Sequence, residues 1–205
     1  KFYLILFLII SFLLSIIVIN KLNIDFLVNS ILITSAFYLF LITSRDFLDK
    51  KLKNSSQKIA HFGFSLLILS ILFNNILSTE IITNLKVGET FKSNKLQIKF
   101  ENIEQKEGQN FKALIGRFSI ENLDGNIEIL KPELRIYNQP EIITSEADIK
   151  TNLLEDKFMT MNLVPNQNYF NIRYQIKPFM IWIWLSVILI SFGGLSSLIR
   201  NKYEN

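Results

Sequence analysis

Cysteine is absent from these 205 residues, and histidine occurs once, as His61. The first absence excludes disulfides, Cys-x-x-Cys redox chemistry and thiolate-held metal within the chain. The two together exclude a metal cluster built from this chain alone. Glycine and proline are scarce, at 7 and 4 residues. No Gly-rich phosphate loop, internal repeat or low-complexity linker is found. Nothing resembles a Ser-His-Asp arrangement or a paired-carboxylate hydrolytic set.

Charge is also missing, but only locally. Four apolar runs, 2–19, 26–43, 59–78 and 178–199, contain no Asp, Glu, Lys or Arg. A hydrocarbon core of ~30 Å needs about 20 helical residues, so each run is long enough to cross a bilayer. The first competes with a signal peptide. That reading is disfavoured because an h-region is shorter and Asn20-Lys21 is not a small-residue cleavage site. Asn29, Ser30, Thr34 and Ser35 make the second run less oily, which fits packing against other helices. The first residue is Lys1 rather than Met, so the chain is read as processed or as a piece of something longer.

The pI of 9.2 follows from topology, not from nucleic-acid binding. Segment 79–177 is close to neutral, with 13 Lys and Arg against 14 Asp and Glu. The basic excess therefore flanks the apolar runs. Arg45, Lys50, Lys51, Lys53 and Lys58 crowd the loop 44–58 and mark the inner side. Alternation then puts the N-terminus and the tail 200–205 inside, where Arg200 and Lys202 agree. Loop 20–25 and segment 79–177 fall outside.

Segment 79–177 reads as strands. Leu96–Phe100 alternates with period two, as does 114–120, where Leu114, Gly116, Phe118 and Ile120 share a face. Asp124-Gly125 between alternating runs predicts a hairpin leading into 127–130. Val87-Gly88-Glu89 predicts a turn. Further strands are expected at 133–137, 157–163 and 169–176, and a helical turn is a candidate around Ser145–Asp148. The expected fold is four transmembrane helices with an extracytoplasmic all-β domain, a small barrel or sandwich, inserted between helices 3 and 4. The domain limits are 1–78, 79–177 and 178–199.

His61 is the one residue that stands out chemically. An imidazole inside a membrane helix is costly and usually faces the bundle interior. Two readings stay open: a structural histidine bonded to a neighbouring helix, or an axial ligand of haem iron. Gly63 suits close approach of either a flat ring or another helix, and Phe62 and Phe64 are candidates to flank a macrocycle. Three residues beyond Lys58 advance only about 4.5 Å, so His61 lies near the inner face. Met180, the one methionine in an apolar run, starts the fourth helix at the outer face. It cannot share an iron with His61, so an opposite ligand has to come from outside these residues.

Several short motifs occur in a telling order. They are Ala60-His61-Phe62-Gly63, Val87-Gly88-Glu89-Thr90, Lys131-Pro132-Glu133-Leu134-Arg135-Ile136-Tyr137 and Ser145-Glu146-Ala147-Asp148-Ile149. Arg173, Lys177-Pro178-Phe179, Trp182-Ile183-Trp184-Leu185 and Gly193-Gly194 follow. In order and spacing, over roughly 58–200, they resemble the C-terminal part of the CcmF family, the haem-lyase component of cytochrome c maturation.

The resemblance implies that His61 is one axial ligand of a membrane haem b, with the other ligand outside this chain. It implies transfer of haem from the chaperone CcmE to apocytochrome c, with a CcmH-type subunit and the N-terminal remainder of CcmF as partners. It also implies a bacterial inner membrane with the β-domain in the periplasm; a mitochondrial inner membrane is the alternative. The family's tryptophan-rich segment, its outward-facing histidines and the partner histidine of the b haem are not in this chain, and Ser186 stands where the family has glycine. The chain is therefore expected to be a C-terminal piece, inactive alone. Trp182 and Trp184 are expected in an aromatic belt, and Glu133, Arg135 and Glu146 in structural roles. The competing reading is a non-catalytic membrane scaffold whose outer β-domain docks assembly partners.

Overall fold

Each of the four uncharged runs is helical, save Ser78 at the end of the third and Pro178 and Phe179 at the start of the fourth. The structure, a computed structural model, describes residues 2–49, 55–94, 96–122, 125–165 and 167–204. Lys50, Lys51 and Lys53 of the basic loop, and Asp124 of the expected hairpin, lie outside the described residues.

The chain divides into two units, Lys1–Leu77 with Pro178–Asn205, and Ser78–Lys177. The first is helical: α1 Phe2–Leu22, α2 Phe26–Leu48, α3 Ser55–Leu77 and α4 Met180–Glu204. All four are long and apolar enough to cross a membrane. The helices overrun the apolar runs. In α2 the ladder continues past Thr43 until the Asp49 amide donates to the Arg45 carbonyl at 3.0 Å. Helix is the conformation that leaves the fewest backbone groups unpaired where water is scarce.

Each helix packs on its neighbour in sequence. Between α1 and α2, the Thr34 hydroxyl donates to Ser15 Oγ at 2.9 Å. Between α2 and α3, Thr43 and Ser65 share a buried hydroxyl–hydroxyl bond of 2.5 Å. Phe62 of α3 stacks on Phe47, with centroids 4.9 Å apart, and lies 5.7 Å from Phe40. Between α3 and α4, Asn74 Nδ2 donates to the Pro178 carbonyl at 2.5 Å, and Phe73 meets Phe179 at 5.8 Å.

The second unit is a β-sandwich. One sheet has the order β1-β10-β9-β8: Thr79–Leu85, Phe170–Pro178, Glu155–Leu163 and Asp148–Thr151. The other has the order β2-β3-β4-β6-β7: Thr90–Lys92, Leu96–Glu107, Phe111–Asn122, Glu133–Asn138 and Glu141–Glu146. β5, Ile127–Leu130, pairs with β4 beyond β6. β5 and β6 thus share one edge of β4, interrupted at Pro132. Proline has no N–H to give a ladder, but its carbonyl still accepts from the Gly116 amide at 3.0 Å.

The core lies between the sheets. Ile98, Phe100, Phe118, Ile120, Leu130 and Leu134 face Leu85, Met159, Met161, Ile172 and Tyr174. Phe100 and Phe118 stack at 4.2 Å. The first and last strands pair along their length, from Thr79 opposite Ile176 to Leu85 opposite Phe170.

The predicted turn at Val87–Glu89 is present: the Glu89 amide bonds the Lys86 carbonyl at 3.0 Å, and Gly88 takes φ +89°, which favours glycine. β4 and β5 form the predicted hairpin, with Gly125 at φ +74° and the Asn122 amide bonded to the Asn126 carbonyl. The helical turn considered around Ser145–Asp148 is not there. Those residues end β7 and begin β8. Glu146 is in register with Glu133, and the Ser145 hydroxyl donates to the Met161 carbonyl at 2.8 Å. Sheet partners outweigh the weak local preference.

Candidate functional site: the open face of α3

Three faces of α3 have different fates. Ser56 and Gly63 are buried, and they and Ala60 lie toward α4. Phe62 and Ser65 lie toward α2. The remaining stripe, Gln57, His61, Phe64, Ile71 and Asn75, is exposed. Its spacing of four, three, seven and four residues places it along one side of a 3.6-residue helix.

His61 is on that open stripe, about 9 Å from the helix start at Ser55. It does not face the interior of the four helices, because α2 and α4 already occupy the other two sides. It makes no hydrogen bond to any described residue. Neutral imidazole nitrogen free of such bonds is a competent iron ligand. The described residues contain no cluster of three or more His, Asp or Glu that could hold a metal ion.

The ambiguity at Gly63 is resolved in favour of a helix. A Cβ there would lie 2.9 Å from Leu189 Cβ and 3.1 Å from the Ile190 amide nitrogen. Phe62 is spent on α2, which leaves Phe64, 53% exposed, as the aromatic neighbour of His61 on its own face. The antiparallel register, Gly63 beside Leu189–Ile190 and Gly193 beside Ser56–Ala60, sets His61 level with residues near 192. Met180 is then about 18 Å away along α4.

Elsewhere the expected residues are dispersed. Trp184 is 63% exposed and Trp182 is half-buried, near the start of α4. Arg135 pairs with Glu133 at 2.8 Å and lies over the Phe111 ring; the bond to Glu133 raises its pKa further. Glu146 accepts from the Thr144 hydroxyl. Inside the sandwich, Lys157 bonds Glu128 at 2.6 Å and Glu155 at 3.2 Å. Burial pushes its ammonium down, but the two glutamates outweigh that and leave its pKa raised. Burial, then the same glutamates, raises the Tyr174 phenol.

Sequence reasoning missed the α3–α4 contact. The signal was legible: Ser56, Ala60 and Gly63 are small residues four and three apart, the pattern that lets membrane helices approach closely.

Among the described residues, apolar helices with an open histidine and a ten-stranded sandwich define a membrane protein with a β-unit. Residues 76–178 match the family described as the CcmF C-terminal beta-sandwich. The chain belongs to the CcmF family. It is similar to the cytochrome c-type biogenesis protein CcmF of Pseudomonas fluorescens, with 27% identity over 148 residues, covering 72% of this chain and 22% of that protein. For the Haemophilus influenzae protein of the same name the figures are 28% over 159 residues, 76% and 24%. A solved structure, the cytochrome c heme lyase CcmF, shares the fold with a TM-score of 0.66 at 17% identity, over 95% of this chain and 33% of that one. The chain thus spans about a quarter of the length of the first two relatives.

Proposed function

We propose that this chain is the C-terminal portion of a haem lyase of cytochrome c maturation, and that His61 is one axial ligand of a membrane haem b. The observation that carries this is the placement of the only histidine: near one end of α3, on the one face its neighbouring helices leave open, without a hydrogen-bonding partner among the described residues. Membership of the CcmF family supports the same reading.

The residues present fit half of a two-ligand site. His61 offers a nitrogen, Phe64 an adjacent apolar surface, and Gln57 a polar group one turn nearer the helix start. The opposite ligand comes from outside these residues, from the N-terminal remainder of CcmF. A haem bound there supplies one-electron transfer; the chain's own share is to hold the iron and exclude lipid from one side. On this reading loop 44–58 faces the cytoplasm and residues 79–177 the periplasm of a bacterial inner membrane, with a mitochondrial inner membrane as the alternative; the positive-inside pattern supports the orientation. CcmE, a CcmH-type subunit and apocytochrome c are the partners on that outer side.

The test is the absorption spectrum of the full CcmF complex. His61→Ala is expected to abolish the b-type Soret and α bands while the protein still inserts. An unchanged spectrum removes the haem reading.

A second reading, a docking scaffold, draws on one observation. Ile142, Ile143, Ile149, Leu153 and Leu154 are all about half or more exposed on the β-unit. That reading expects His61→Gln to retain cytochrome c assembly, and disruption of the Asp124-Gly125 turn to abolish complex formation.

A further inference from the structure

We propose that Gly193 and Gly63 are positioning residues for His61: by letting α3 and α4 touch backbone to backbone, they fix the rotation of α3 and so aim the imidazole. The inference rests on the haem reading above and deepens it.

The geometry of α3 carries the argument. Gly63 follows His61 by two residues, about 200° round the helix, so the two face nearly opposite ways. Whatever presses on Gly63 therefore determines where His61 points. A Cβ at Gly193 would lie 2.7 Å from the Ser56 carbonyl oxygen and 2.7 Å from the Ala60 amide nitrogen. Both atoms are helix backbone and have no rotamer through which to yield. Gly63 meets α4 one turn away, against Leu189 and Ile190. Two contacts of this kind, one contributed by each helix, resist both sliding and rolling.

A third contact, on another side of α3, is made to α2. There the Thr43–Ser65 bond and the Phe47–Phe62 stack stop the helix from turning. A helix with side chains has a radius of about 5–6 Å, so a roll of ~20° moves a side-chain tip by about 2 Å. Ligand geometry is productive within about 0.5 Å and 10–20°. A methyl group at residue 193 is therefore enough to disturb the imidazole without touching it.

The neighbouring glycine provides the control. Gly194 has no atom within 4 Å of an added Cβ. Gly193→Ala and Gly194→Ala make the same chemical change at adjacent positions, and only the first perturbs the contact.

The experiment uses the full CcmF complex in membranes. It reads the low-spin haem EPR signature, the midpoint potential and haem retention on detergent washing, with insertion checked for every variant. Gly193→Ala is expected to shift the EPR signature and the potential and to weaken haem retention about tenfold, the scale seen for groups that orient a metal ligand. Gly194→Ala is expected to match the unsubstituted protein. If Gly193→Ala does not accumulate, Gly63→Ala decides by the same readouts, since its contacts, 2.9 Å to Leu189 Cβ and 3.1 Å to the Ile190 amide nitrogen, are less severe than the two at 2.7 Å around Gly193. A Gly193→Ala or Gly63→Ala complex that inserts and is spectroscopically identical to Gly194→Ala overturns the positioning role. His61→Ala separates the two failures. If it keeps the b-type bands, the haem reading itself is wrong; if it loses them while the glycine variants change nothing, only the positioning inference fails.

Discussion

The two units are built inside out with respect to one another. In the helical unit the buried polar residues are hydroxyls, Ser11, Ser15, Ser30, Thr43, Ser56, Ser65, Ser70 and Ser186, while large apolar side chains such as Leu27, Ile31 and Ile188 lie outside. In the β-unit the interior is Phe100, Phe118, Met159, Met161 and Ile172, and most charges lie on the surface. Hydrocarbon gives the helices no reward for hiding a leucine, so they associate through small residues and short hydroxyl bonds. Water rewards burial, so the sandwich associates through bulk.

The sharpest way to break that comparison is to remove the same kind of volume from both units. Phe118→Ala should destabilise the β-unit by about 3–5 kcal/mol, because a fully buried aromatic leaves a cavity. Leu27→Ala, whose side chain is 80% exposed, should leave helix protection within about 0.5 kcal/mol of the original. Hydrogen exchange of the chain in detergent reads both, and equal effects would refute the inside-out description.

A smaller effect tests the ionisable groups of the sandwich, buried and exposed. Lys157 has a raised pKa, so its paired state contributes fully below the ordinary lysine value of 10.5 and is lost as pH rises through the folded value. Tyr174 is raised above its ordinary 10.0, so keeping it buried and neutral becomes costly over the same alkaline range. Glu80 and Glu101 are lowered, the first by bonds from Gln175 and Arg173, the second by bonds from Arg117 and Ser119. Their contribution is present above the ordinary 4.5 and is lost as pH falls below it. Stability of the β-unit should thus be flat near neutrality and fall at both ends. The Tyr174 hydroxyl, buried with no bond to any described residue, makes Tyr174→Phe a stabilising change of about 1 kcal/mol that also softens the alkaline fall. A destabilised Phe variant would mean that the hydroxyl has an essential partner.

The smallest effect belongs to the helices. Thr43→Val removes the bond to Ser65 and should cost about 0.6 kcal/mol of α2–α3 association, the average for such bonds in membranes. A loss several times larger would show that this bond has an organising role beyond its ordinary strength.

The sequence announces the parts that depend on a single solvent. Four uncharged runs could only be helices. Strands with one face in the core, such as Leu96-Gln97-Ile98-Lys99-Phe100 and Ile172-Arg173-Tyr174, alternate visibly. β1 and β7 were hidden because adjacent isoleucines, Ile81-Ile82 and Ile142-Ile143, blur the period of two. The gap between β5 and β6 was legible, but that both strands pair with one edge of β4 was not. The position of His61 near the start of α3 was readable from its closeness to Lys58, but its direction was not. Direction depends on which sides of α3 are taken by α2 and α4, and only tertiary packing decides that.

The pairing of β1 with β10 bears on how the molecule is made. Thr79 leaves the ribosome almost a hundred residues before its partner Ile176. Until β10 arrives, β1 remains an unsatisfied edge and the four-stranded sheet has no centre, since β10 lies between β1 and β9. Such late closure makes the assembly slow and leaves sticky backbone on offer during biosynthesis. The final residues of that strand lead straight into α4, so completion of the sheet coincides with delivery of the last helix to the bilayer.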